Sequence, residues 1–185
     1  MSSILIDAAY PPPAVPAGVA GVLGYIGGAA DHVWTAHEWQ PFAAIKQFPI
    51  WVADLTANPV AEGQAACKAA KALGWAAHMP AGQNRLIVID LEAAVNRYWY
   101  ERMAGTIDAN GFTAVCYGSL DTVLGNAAAD VLAADWDGIP SIPAGQTLHG
   151  LQYRANVSIG SATVDYDVVD AWFMARGGVG PRRGA

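Results

Sequence analysis

The sequence is poor in charge and sulfur, and it has no long apolar run. Only 14% of its 185 residues are Asp, Glu, Lys or Arg, against 54% hydrophobic. That balance excludes a disordered chain, because most of these residues need an interior to occupy. No apolar run approaches the ~18 residues of a membrane-crossing helix, so no membrane insertion is expected. Ten basic residues face 16 acidic ones, for a net charge of −6. A surface that follows a phosphate backbone is thereby disfavoured, and no nucleic-acid partner is expected. The opening "MSSILIDAAY" has no basic stretch and meets Asp7 after three apolar residues, so it does not read as a secretory signal. The two cysteines, Cys67 and Cys116, form no disulfide framework and lack CxxC spacing. In "QAACKAA" and "TAVCYGS" they read as buried thiols.

Several motifs are also missing. No GxGxxG or Walker lysine follows the first apolar run, and Gly18, Gly21 and Gly24 have the wrong spacing for either. "HEW" at 37–39 lacks the second histidine of a zinc-peptidase helix, and His32, His78 and His149 have no ligand spacing. There is no DxDxDG loop for calcium, and Ser119 in "YGSL" is not a nucleophile elbow. No cofactor and no metal are expected.

What remains is a series of short apolar runs. The stretches 2–10, 21–28, 48–55, 85–92, 113–120, 129–136, 148–155 and 162–169 read as strands. Residues 58–74 read as a helix, with Asn58 as N-cap, Pro59 at the first position and Gly74 closing the end. A second helix is expected over 95–110, and 33–46 has weak helical spacing. Strands apolar on both faces, alternating with helices, belong to a parallel sheet covered by helices. Eight of them predict an α/β fold, a compact (β/α)8 TIM-barrel-like closure with some helices shortened or missing. A doubly wound open sheet is the rival. One domain is expected over 1–176, with a flexible basic tail over 177–185 that holds Arg182 and Arg183.

The charge that is present is not scattered. In "RLIVIDLE" the strand alternation puts Asp90 and Glu92 on one face, about 6.6 Å apart at Cα, with Ile87, Ile89 and Leu91 on the other. Asp7, Asp54 and Asp135 also stand late in their strands, and Asp165 and Asp167 lie two apart on the last one. In a barrel such residues gather at the mouth where these folds place their chemistry. Clustered acids raise each other's pKa values and can keep one carboxyl protonated as a general acid. Tyr10, Tyr25, Trp51, Tyr117, Trp136 and Tyr153 accompany them. Rings beside carboxylates suit a sugar, whose C–H faces stack while acids act on the glycosidic oxygen. The plain alternative is that strand ends are polar because the chain leaves the core there.

Four pieces resemble the glycoside hydrolase family 25 lysozymes and the related glycoside hydrolase-like barrel domains of bacteria and their phages. They are "ILIDAAY", "IVIDLE", "VLAADW" and "LQYRANVSIGSATVDYDVV", in the family's order. "GYIGG" is closer to the hydrolase-like branch, and "WVADLT" stands where the lysozymes carry a Tyr-His-Phe-like motif. The resemblance implies cleavage of the MurNAc–GlcNAc β-1,4 bond of peptidoglycan. It implies Glu92 as general acid and Asp90 as the group that orients the N-acetyl group or stabilises the developing cation. Asp7 and Asp165 would tune the charge and hold the substrate. Tyr25, Asp54, Tyr117, Asp135, Trp136, Gln152 and Tyr153 are expected to bind it. The implied partners are peptidoglycan or another wall glycan and, for a phage protein, virion proteins. The implied location is the host cytoplasm followed by release to the wall, or the virion. A non-catalytic glycan-binding or virion-structural barrel is the alternative.

Overall fold

A computed structural model of the chain describes residues 1–77, 83–91, 93, 96–120, 123, 130–142 and 148–178. His78, Glu92, Arg182 and Arg183 lie outside the described residues. Eight strands close on themselves in sequence order: β1 (Ser3–Ala8), β2 (Val19–Gly28), β3 (Lys46–Val52), β4 (Leu86–Asp90), β5 (Thr113–Ser119), β6 (Val131–Ala134), β7 (Leu148–Ile159) and β8 (Ala162–Val169). Among the described residues the helices are α1 (Ala36–Trp39), which runs into a 3₁₀ turn at Gln40–Phe42, α2 (Pro59–Ala72), α3 (Arg97–Ala109) and α4 (Ala171–Ala175). The structure is thus the closed α/β barrel, not the open sheet.

β1 to β7 run parallel, but β8 is antiparallel to both β7 and β1. Only Gly160 and Ser161 separate β7 from β8, so the last crossover is a hairpin and no helix is needed there. This is one reason a barrel fits into 185 residues. Where the sequence predicted a weak helix over 33–46, one short α-helix and one 3₁₀ turn form instead. Pro41 stands in that turn and cannot donate to a continued helical ladder.

Strand alternation sorts two cores. Leu5, Leu23, Phe48, Ile50, Leu86, Val88, Val115, Leu132 and Val169 fill the barrel, and Phe173 of α4 closes its lower end against Phe48 with ring centroids 5.0 Å apart. The outward residues Ile87, Ile89 and Cys116 pack with Ala66, Cys67 and Ala70 of α2 and with Tyr100, Met103 and Ile107 of α3. The two helices start where their caps dictate. Asn58 Oδ1 accepts from the Val60 and Ala61 amides, and Asn96 Oδ1 accepts from the Trp99 amide. Gly28 has a φ of +80°, and a Cβ there would sit 1.8 Å from the Val52 carbonyl oxygen. Only glycine lets β2 turn out beside β3 at that point. At the lower end, Gln47 and Gly178 exchange two backbone hydrogen bonds of 2.7 and 3.1 Å.

Candidate active site

The mouth is built at the C-terminal ends of the parallel strands, the rim where such barrels carry function. Asp90 is the last residue of β4, in register with Val52 of β3 and Tyr117 of β5. Asp7 is the next-to-last residue of β1. The reversal of β8 brings its early part to the same rim, where Asp165 pairs directly with Asp7. Three acids from three strands therefore meet, with Asp7 and Asp90 buried. A cavity of about 320 Å³ opens over them, lined by Tyr25, Asp90, Tyr117, Ser119, Trp136 and Asp165 among others.

A hydrogen-bonded chain organises one wall. The Trp136 indole, 66% exposed, donates from Nε1 to Gln152 Oε1 at 2.7 Å. Gln152, fully buried, donates from Nε2 to Asp7 Oδ2 at 3.0 Å. The tryptophan ring thus stands at the rim with its edge tied down and its faces free to stack on a sugar. Asp165 Oδ1 accepts from the Asn156 amide at 2.7 Å.

Burial pushes the Asp7 carboxyl well above the usual carboxylate range, and Asp165 and Asp90 add to the shift, while the Gln152 hydrogen bond opposes it. Asp165 is raised by burial, with the Asn156 amide acting the other way. Burial also holds the Tyr117 hydroxyl well above its ordinary range, and Asp7, Asp167 and Asp90 reinforce that. Acids in such a mouth hold their protons to higher pH than exposed carboxylates do, a property that favours acid catalysis.

Of the residues expected from the sequence, Asp7, Asp90, Asp165, Tyr25, Tyr117, Trp136 and Gln152 come together. Glu92 lies outside the described residues, two positions beyond Asp90. Asp54 stands past the end of β3, where its Oδ1 accepts from Thr56 N and Oγ1 at 2.9 and 2.7 Å, and its carboxyl is held below the usual range by those bonds. It lines a neighbouring cavity of about 530 Å³ with Ala9, Tyr25, Asp31, His32 and Leu55. Tyr25 is the wall shared by both cavities. Asp135 and Tyr153 do not line either cavity. The Asp135 amide donates to the Gln152 carbonyl, and the Tyr153 ring packs edge-on against Tyr166 at 6.4 Å. Trp51 faces the helices, its Nε1 donating to Glu62 at 2.9 Å.

Two features escape a sequence reading. Asp31, His32 and Ala9 line a cavity although they sit in loops with no periodic signal. His149, which has no ligand spacing in the sequence, lies between Asp170 and Asp130 at 2.9 and 3.0 Å, far from the mouth at the base of β7. Its partners stand about twenty positions away, beyond any local motif. Among the described residues no group of three or more His, Cys, Asp or Glu could hold a metal, and no helix is long and apolar enough to cross a membrane.

No protein-family model matches the chain, and no curated protein matches it. Solved structures do. An uncharacterized B. stearothermophilus protein superposes with a TM-score of 0.71 at 16% identity, covering 95% of this chain and 100% of that one. The catalytic domain of an endolysin from a bacteriophage of Listeria monocytogenes gives 0.68 at 15% identity, covering 95% and 97%. The multimodular pneumococcal cell wall endolysin of phage Cp-1, complexed with choline, gives 0.62 at 14%, covering 91% of this chain but 54% of the endolysin. At such identities the likeness is one of fold: this chain has a barrel similar to those of phage endolysin catalytic domains.

Proposed function

We propose that this barrel is a peptidoglycan hydrolase, a lysozyme-like glycosidase that cleaves the MurNAc–GlcNAc β-1,4 bond with acid assistance. The observation that carries the reading is the meeting of Asp7, Asp90 and Asp165 under an exposed indole. The endolysin neighbours add support at the level of fold. In this reading a sugar stacks on Trp136, which Gln152 holds in place. Glu92 protonates the leaving glycosidic oxygen. Asp90 faces the N-acetyl group or the developing oxocarbenium ion, and Asp7 and Asp165 supply negative charge around it. The protein reaches the wall glycan after release from the cytoplasm of a phage-infected host cell, or as part of a virion.

The test is direct. Glu92→Gln should lower the release of muropeptides from purified peptidoglycan by at least about a hundredfold, the usual weight of a general acid, with an unchanged circular dichroism spectrum. Wild-type release by that variant would remove Glu92 from its role. A second reading, a glycan-binding barrel without turnover, is favoured by the rigid, exposed Trp136, which serves binding whether or not a bond is cut. It predicts saccharide affinity with no new reducing ends on any wall, and turnover on a single wall type excludes it.

A further inference from the structure

One carboxyl of the barrel has no part in the scheme above. Asp167 is 0% exposed, and neither of its oxygens has a hydrogen-bond partner among the described residues. It faces Leu5 across β1 and Gln152 across β7, one interior layer beneath the Asp7–Asp165 pair. Val169 stands below it on the same strand, in the apolar filling of the barrel. An ionised carboxylate without a donor is strongly disfavoured in such a layer, so the group keeps its proton.

Asp7 differs in one respect. It is equally enclosed, yet it receives the Gln152 amide, whereas Asp167 receives nothing from the same glutamine. A charge shared between these two acids settles where the donor is, on Asp7. The other titratable groups that act on Asp167 are Tyr117 on β5, Tyr153 on β7 and Asp165 on β8, with Asp90 and Tyr25 beyond them around Tyr117. They include no cation that could stabilise an Asp167 anion.

We propose that Asp167 is a positioning residue of the mouth: a carboxylic acid that stays neutral and confines the negative charge to the layer above it, on Asp7 and its neighbours. Burial and the proximity of Asp7 and Asp165 push it well above the carboxylate range, in keeping with this role. The proposal deepens the hydrolase reading and rests on it for its catalytic consequence, though not for the protonation itself.

Carbon-13 NMR of the aspartate carboxyls, followed from about pH 3 to about pH 8, tests it. In the wild-type protein Asp167 should keep the chemical shift of a protonated acid while Asp7 titrates. Asp167→Asn is neutral and of equal size, so it should leave the Asp7 midpoint where it was. Its Tm should equal that of wild type in acid and exceed it at neutral pH. The sign follows from linkage: with a raised folded pKa, wild type loses stability as pH climbs through the unfolded value, and the variant does not. In wall hydrolysis the variant should retain activity further into the alkaline range than wild type does. An ionised Asp167 at neutral pH would overturn the proposal, as would a shift of about a unit or more in the Asp7 midpoint. If the variant does not fold, the wild-type titration alone decides. If wild type hydrolyses no wall, the hydrolase reading fails while the NMR result stands.

Discussion

Gln152→Leu isolates the contribution of one amide to the mouth. The substitution keeps an apolar side chain of similar bulk in a fully buried place, so no large cavity opens. It removes two hydrogen bonds of unequal weight. Trp136 is mostly exposed and its N–H turns to water at little cost. Asp7 is enclosed and loses a 3.0 Å bond that opposes the rise of its pKa. A charge-assisted bond of this kind contributes about 1.5–3 kcal/mol, and one to a neutral acid about 1 kcal/mol. The variant should therefore lose about 2 kcal/mol once Asp7 is ionised, or roughly 4–8 °C in Tm for a chain of this size. Below the folded pKa of Asp7 the acid is protonated in both proteins, and the loss should shrink to about half. Thermal melts followed by circular dichroism across the acid-to-neutral range measure this. A Tm difference that stays constant with pH, or one that grows toward acid, would refute the assignment of Gln152 as the donor that holds the Asp7 anion.

Three further outcomes follow from the same structure. Trp136→Ala should weaken binding of a chitooligosaccharide about tenfold, the weight of one stacked ring, with a Tm change under about 2 °C because the side chain is exposed; unchanged affinity by calorimetry would remove the ring from the site. Burial pushes Cys67 up to about 11 and Cys116 up to about 12, so neither should react with a thiol reagent at mildly alkaline pH until the protein is unfolded. Gly28→Ala should abolish soluble expression, since its Cβ would enter the Val52 carbonyl at a positive φ, whereas Gly105→Ala, open in the interior of α3, should raise Tm by a degree or more.

The sequence carried the fold as far as periodicity reaches. β8 lies at 162–169 as its alternation indicates, and α2 begins at Pro59 because Asn58 caps it. The direction of β8 was not legible. Strand alternation reads the same in either sense, and the turn at Gly160 becomes decisive only once β7 is seen to run on to Ile159. The acids of the mouth were legible as charges set into otherwise apolar strands, although alternation alone does not say which face is the inner one. Asp54 stands beyond the strand that its sequence context indicates: β3 stops at Val52, so alternation no longer applies two residues later. The role of Gln152 as a link between Trp136 and Asp7 depends on side-chain reach across three strands, which no spacing encodes.

The antiparallel seam between β1 and β8 also bears on how the barrel assembles. The β7–β8 hairpin is local and can form early, at the small entropic cost of a two-residue connection. The seam joins Ser3 to Val169, nearly the full described length of the chain, and no other strand pair spans so much sequence. Its closure carries the largest loop entropy of any strand pair in the barrel. Asp7 and Asp165 face each other across this seam. The encounter of the two acids is therefore the strand pairing with the longest loop to close, and repulsion between them would add to its cost. The place where the barrel is hardest to shut is also the place where its acids are gathered.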